Sequence, residues 1–167
     1  MKKAFAIIIL SVIFICGCGN EDIKNKFALP LELTASLNGK DYFTQRITQE
    51  GYILSFDKEH PLFGLNIEIW GDKGTATVAD FVCPVESGYF PAQHCLARAV
   101  RLLNERYISA VKTKKGFKYT IDETVILVYY DNDTKQVIGI EAEENGRRFY
   151  FSVRAITPYE KPSNGEG

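Results

Sequence analysis

Hydrophobic and polar residues alternate along much of the chain, which is the pattern of β-strands that bury one face. In the N-terminal half, the stretches that alternate or carry a run of β-branched residues are 31–37, 52–56, 65–70 and 75–82. Asn38-Gly39 follows the first stretch and predicts a two-residue hairpin turn. That turn would place Ala35 opposite Tyr42 and would turn Phe43 away from that face. Either both faces are partly covered or a bulge intervenes.

The C-terminal third is predicted to be a meander, and its last hairpin is the most tightly specified. Asn145-Gly146 is a strong two-residue turn signal. The predicted pairs are Glu144 with Arg147, Glu143 with Arg148, Ala142 with Phe149 and Ile140 with Phe151. In this register the apolar residues of both strands share one face, so turn chemistry and hydrophobic pattern agree.

A single helix is predicted between the two groups of strands. Its apolar positions recur every three or four residues: Leu96, Ala99, Leu103, Tyr107 and Ala110. Pro91 suits the first turn, and Gly116 can end the helix just after a group of lysines. The fold class is therefore α+β: an antiparallel β-sheet or partly open barrel, with one long helix between the N- and C-terminal strand groups.

The start of the chain has a different pattern. Lys2 and Lys3 precede an apolar run over residues 4–15. That run is shorter than the roughly 20 residues that a helix needs to cross a bilayer, and it fits the core of a signal peptide. The following residues, Ile15-Cys16-Gly17-Cys18, resemble the lipobox of bacterial lipoproteins, in which a small residue precedes the modified cysteine. The family prefers Leu in place of Ile15 and Ala or Ser in place of Cys16.

The lipobox resemblance implies a diacylglycerol on the thiol of Cys18, cleavage before that residue and acylation of the new amine. Two or three acyl chains anchor a protein stably in a membrane. Gly19, rather than Asp, follows the cysteine. In Gram-negative lipoproteins this favours the periplasmic face of the outer membrane; a Gram-positive source would imply the outer leaflet of the cytoplasmic membrane. The expected organisation is a signal peptide over 1–17, a lipidated tether over 18–30, one domain over 31–157 and a flexible tail over 158–167.

Loss of Lys2 and Lys3 with the signal peptide changes the formal net charge from −1 to −3. That balance argues against a nucleic-acid binder, which is normally strongly basic. Two cysteines remain besides Cys18, and in an oxidising compartment Cys83 and Cys95 are predicted to form a disulfide. With two histidines and no paired CxxC motif, no metal site or cofactor is predicted.

The charge is unevenly distributed. Residues 98–118 contain seven basic residues and one acid, a net of +6 against −9 for the rest of the mature chain. If these basic residues lie along the helix, they form a docking face for an acidic partner or for phosphate-bearing lipid. Aromatic residues on and near the loop before the helix are further anchors for a partner. The candidate partner-binding residues are Arg98, Arg101, Arg106, Lys112, Tyr89, Phe90 and Trp70.

The leading hypothesis is a non-catalytic envelope lipoprotein that binds a protein partner in the periplasm, as an assembly factor or as an immunity protein against a toxin. One alternative is lipid or small-ligand binding in an open apolar cavity of the β-structure. The other is a small envelope hydrolase, which would require Asp57, Glu59, His60 or His94 to converge in a cleft.

Overall fold

The computed structural model describes residues 20–104, 109–121 and 123–160 of the chain. Two α-helices, α1 (Asn20–Lys26) and α2 (Pro91–Leu103), and a short 3-10 helix (Ser87–Tyr89) accompany eleven strands. The strands are β1 (Leu31–Ser36), β2 (Tyr42–Ile47), β3 (Gly51–Phe56), β4 (Leu65–Trp70), β5 (Lys73–Val78), β6 (Phe81–Glu86), β7 (Ser109–Lys112), β8 (Gly116–Ile121), β9 (Thr124–Tyr130), β10 (Val137–Glu144) and β11 (Arg147–Pro158).

All eleven strands belong to one antiparallel sheet, in the order β6-β5-β4-β3-β2-β1-β11-β10-β9-β8-β7. The first and last strands pair in the middle, so both halves of the chain extend outward as meanders from β1 and β11. The chain must then cross from one edge, β6, to the other, β7. Helix α2 lies in this crossing segment and contacts β2, β3, β10 and β11. The prediction of an antiparallel sheet with a helix between two strand groups is confirmed, and the sheet is open.

One face of the sheet packs against the helices and forms the core. From the strands the core takes alternating residues such as Leu33, Phe43, Leu54, Ile67, Val128 and Phe151. From α2 it takes Leu96, Ala99, Val100 and Leu103, which recur at the spacing of one helical face. The predicted helical positions Leu96, Ala99 and Leu103 are therefore confirmed as core residues.

Helix α2 is shorter than the sequence predicts. It ends at Leu103, and Ser109–Lys112, which was expected to be helical, is strand β7. The chain leaves the helix at Asn104, whose side chain donates a hydrogen bond to the carbonyl of Phe27. In β7, pairing with β8 satisfies the backbone groups that a longer helix would have satisfied internally. The predicted helical position Tyr107 lies outside the described residues.

The segment expected to be a polar tether is instead docked on the domain. Asn20–Lys26 forms α1, and Ile23 and the following Phe27 are almost completely buried in the core. Two apolar residues four apart place both side chains on one side of a helical turn, which is sufficient to dock it. At the other terminus Pro158 belongs to β11, and the amide of Tyr159 donates a hydrogen bond to the carbonyl of Pro30. Residues 161–167 of the predicted tail lie outside the described part of the chain.

The two Asn-Gly turns have different outcomes. Asn145 and Gly146 both have positive φ, and all four predicted pairs of the β10–β11 hairpin are confirmed. The predicted two-residue turn at Asn38 is wrong, because its side-chain oxygen accepts the amides of Lys40 and Asp41 and organises a longer loop. Ala35 therefore faces Phe43 rather than Tyr42. This register brings Phe43 to the core face, where it is buried.

The strand predicted over 75–82 is interrupted. Ala79 adopts positive φ and forms a turn with Asp80, which separates β5 from β6. Cys83 and Pro84, which follow the predicted strand, lie in β6. Pro84 is tolerated there because β6 is an edge strand, where one missing amide donor need not break a ladder.

Candidate functional site

The structure disperses the predicted partner-binding residues over the molecule. Arg98 and Arg101 lie on α2, whereas Lys112 lies on β7 at one edge of the sheet. Trp70 ends β4, and Tyr89 ends the 3-10 helix that follows β6. Arg106 lies outside the described residues. The continuous basic helix face that the sequence predicts does not form, because α2 ends before most of the basic residues.

The two basic residues of α2 are already engaged within the domain. Arg98 is half exposed, and its Nη1 lies 3.4 Å from Oε1 of Glu144. Arg101 is partly buried and donates a hydrogen bond from Nε to the carbonyl of Ala97. Burial lowers the pKa of the Arg101 guanidinium from its ordinary value, although it stays charged at neutral pH. Arg101 is thus held within the domain, whereas Arg98 stays exposed but is ion-paired.

The predicted disulfide is not formed in the structure. Cys83 is exposed on β6, whereas Cys95 is buried on α2, and both thiols are free. The charged groups that act on Cys95 include Glu144, at the end of β10, and Arg98. Burial, with a smaller contribution from Glu144, raises the pKa of the Cys95 thiol to about 12.

The β6 edge carries a group of exposed apolar side chains, the apolar edge, defined by Val78, Phe81 and Val82. Their exposures are 47%, 78% and 63%. Val78 and Phe81 are directly paired across β5 and β6, so their side chains lie on the same face. Further along the same edge, Tyr89 is also largely exposed, whereas Phe90 packs against the core. The sequence did not single out Phe81 because it lies in a β-branched run that was expected to be one strand.

A second surface, the lysine cluster, lies near the opposite edge of the sheet. It consists of lysines that line one depression of about 280 Å³: Lys26, Lys112, Lys114, Lys115 and Lys135. They come from the end of α1, from β7 and the β7–β8 turn, and from the β9–β10 turn. The sequence predicted Lys112 as part of a basic strip. Lys26 and Lys135 are distant from it in sequence, and only the folded chain brings them to the same depression. Asp131 is the one acidic residue among those that line this depression.

A third surface surrounds Trp70, which alternates with buried Ile67 and Ile69 and so lies on the sheet face opposite the core. A Cβ added to Gly51 would lie 2.8 Å from Cε3 of Trp70, so the indole lies directly across this glycine. Trp70 and Tyr159 line a groove of about 470 Å³ that is open to solvent. The guanidinium of Arg46 lies 5.2 Å from the ring centre of Tyr159 and is ion-paired with Glu32 at 2.8 Å.

The residues required for a hydrolase are not assembled at one place. Asp57, Glu59 and His60 line one open depression near the end of β3. His94 lies on α2, with its ring 6.1 Å from that of Tyr52, near the beginning of β3. Since Tyr52 and Asp57 are five residues apart along an extended strand, roughly 17 Å separates the two places.

No group of three or more His, Cys, Asp or Glu side chains that could hold a metal ion is found within residues 20–104, 109–121 and 123–160. In the same described ranges, no helix has the length and hydropathy needed to cross a lipid bilayer. The sheet domain therefore offers three separate surfaces: the apolar edge, the lysine cluster and the Trp70 groove. In comparisons with known proteins, no family model matches the chain and no curated protein is significantly similar to it.

Proposed function

We propose that this protein is a non-catalytic envelope lipoprotein, anchored through Cys18, whose sheet domain binds a protein partner with its apolar edge. The single observation that supports partner binding is the exposure of Phe81 and Val82 on β6, an edge strand that pairs with β5 on one side only. An isolated exposed apolar residue needs no explanation, but adjacent ones on a strand edge are typical of an interaction surface. Anchoring is supported by the resemblance of Ile15-Cys16-Gly17-Cys18 to a lipobox.

The partner is expected to contact the side chains of the apolar edge rather than to add a full strand to β6. Pro84 has no amide hydrogen, so a strand that paired along the whole edge would lack one hydrogen bond at this residue. Phe81 and Val82 precede Pro84 and point to opposite faces of the sheet, as neighbours in a strand do. A partner that covers both must wrap around the edge. This arrangement suits an assembly factor or an immunity protein equally.

Anchoring is tested by mass spectrometry of protein extracted from membranes. We expect the mature chain to begin at Cys18 and to carry acyl groups on that residue. A chain that keeps Met1, or one that begins at Cys18 without acyl groups, would contradict the proposed anchoring and would leave partner binding to be tested separately.

Partner binding is tested by site-specific photocrosslinking in intact cells, with the photoreactive residue at position 81. We expect one discrete crosslinked product, which the additional substitution Val82→Ser weakens. Val111, 60% exposed on the opposite edge strand, is the matched control position and should not give the same product. The same product from both positions, or none from position 81, would refute the apolar edge as the binding surface.

A second candidate function is the binding of a small apolar ligand in the Trp70 groove, favoured by the fixed position of the indole across Gly51. Trp70 is the only tryptophan of the chain, so its fluorescence reports on this groove alone. The probe 8-anilinonaphthalene-1-sulfonate should quench it and bind less well after Trp70→Ala. Unchanged fluorescence at saturating probe would exclude this function for such ligands.

A further inference from the structure

The lysine cluster is formed by three segments that hold one another in place. The ammonium of Lys26 donates a hydrogen bond of 2.8 Å to the carbonyl of Lys135 and lies 4.7 Å from the ring centre of Tyr130. The amide of Tyr130 donates a hydrogen bond of 3.1 Å to the carbonyl of Lys115. The end of α1, the β7–β8 turn and the β9–β10 turn are therefore linked, and the cluster is organised before any ligand arrives.

The positive charge of the cluster is only weakly balanced by neighbouring acids. Asp131, whose Oδ1 accepts hydrogen bonds from the amides of Thr134 and Asp133 at 2.8 and 3.1 Å, is the one acid among the residues that line the depression, against five lysines. Among the residues that the structure describes, Lys112, Lys114 and Lys115 take part in no ion pair, and all three are exposed. The depression thus presents net positive charge to whatever lies against it.

The position of α1 limits how far the cluster can be from the proposed anchor. Cys18 precedes Asn20 by two residues, which span at most about 7 Å. Helix α1 then runs for seven residues to Lys26, a length of about 10 Å. Because Ile23 and Phe27 are buried, this segment cannot swing away from the domain. A lipid on Cys18 would therefore keep Lys26, and the cluster that it joins, close to the membrane, with at most about 17 Å between Cys18 and Lys26.

We propose that the lysine cluster docks the domain onto the anionic phospholipid headgroups of the membrane that holds Cys18; this inference rests on the proposed lipidation. The membrane is favoured over an acidic protein because the anchor brings this surface to the cluster at high effective concentration. Each lysine near an anionic membrane strengthens binding by roughly five-fold, so three lysines should contribute about 100-fold.

The test uses the mature chain, Cys18–Gly167, with Cys18→Ser so that no acyl chain contributes to binding. Flotation is measured with vesicles of phosphatidylcholine that contain 30% phosphatidylglycerol, and with vesicles of phosphatidylcholine alone. The test variant carries Lys112→Gln, Lys114→Gln and Lys115→Gln. The matched control carries the same change at three exposed lysines outside the cluster: Lys40, Lys58 and Lys73. A cooperative unfolding transition establishes that each variant is folded.

We expect binding to the anionic vesicles only, a loss of about 100-fold in the test variant at low ionic strength, and a much smaller loss in the control. Equal losses in both variants, or no binding by the parent chain, would overturn the proposal. Complete displacement by 10 mM inorganic phosphate at constant ionic strength would indicate a discrete anion site and would also overturn it. Because the chain tested here is not acylated, failure of the lipidation proposal is detected separately, by the mass of the natural protein.

Discussion

The two edge strands of the sheet, β6 and β7, have the same kind of backbone and present opposite surfaces. Exposed Val111 on β7 is followed by exposed Lys112, Lys114 and Lys115, whereas β6 begins with exposed Phe81 and Val82. Lysine and proline on an edge strand discourage pairing with other chains. Lys112 protects the β7 edge in this way, whereas at β6 the protecting residues are Pro84 and charged Glu86, which lie beyond Phe81 and Val82. The exposed apolar residues of this edge are the reason for proposing a partner that covers it.

Ten strand-to-strand steps of about 4.8 Å separate β6 from β7 along the sheet. The lysine cluster and the apolar edge therefore lie on different parts of the sheet, and contact through one leaves the other uncovered. The lysine cluster near β7 would then orient the domain at the membrane, and the apolar edge at β6 would bind the partner.

The largest difference is expected between Phe27→Ala and Phe81→Ala. Phe27 is fully buried and fixes α1 beside the lysine cluster, so its loss should cost about 3–5 kcal/mol of unfolding free energy. Phe81 is mostly exposed, so its loss should change stability by less than about 0.5 kcal/mol. Chemical denaturation measures both. Comparable losses of stability would mean that Phe81 is a structural residue rather than a binding residue.

The two thiols should differ widely in reactivity. Cys83 is exposed at the β6 edge, whereas burial raises the pKa of Cys95 to about 12, so little thiolate is present at pH 8. Iodoacetamide should therefore modify Cys83 at least about 100-fold faster in the folded protein. Peptide mapping measures the two rates, with Cys83→Ser as the control. If neither thiol reacts until a reductant is added, the disulfide predicted from the sequence is present.

A lysine on the β6 edge should lower self-association of the protein, and loss of a lysine from the β7 edge should raise it. Val82→Lys places a charge on the apolar edge and should reduce self-association of the purified protein. Lys112→Val removes a charge from the other edge and should increase it. Sedimentation at several protein concentrations measures both changes. If Val82→Lys associates as strongly as the parent protein, the β6 edge is not an adhesive surface.

The smallest effect is expected from Asp131→Ala beside the lysine cluster. Hydrogen bonds from Thr134 hold the pKa of the Asp131 carboxyl below its usual range. A lowered pKa means that the carboxylate stabilises the folded state above the unfolded pKa of about 3.9, and that this contribution disappears as the pH falls through the folded value. The variant should be slightly less stable at pH 7 and should match the parent at pH 2. A constant difference over this range would assign the effect to something other than ionisation.

An element could be predicted from the sequence where the residues that determine it are close together along the chain. The β10–β11 hairpin was predicted pair by pair, because its turn and its apolar alternation both lie within a few residues. The turn at Asn38 was predicted wrongly, because its side chain caps the backbone of a longer loop instead of leaving a two-residue turn. The end of α2 was also missed, because the pairing of β7 with β8 overrides the helical spacing that continues to Ala110.

The sequence by itself determined an antiparallel sheet with an intervening helix, since alternation and helical periodicity are local consequences of backbone geometry. It also indicated the lipobox and the uneven charge. Only the tertiary structure decided that α1 is docked, that Cys83 is exposed while Cys95 is buried, and that Lys26 and Lys135 join Lys112. These outcomes depend on which distant segments pack together. No local pattern contains that information, because the free energy that selects each contact comes from burial shared between parts of the chain.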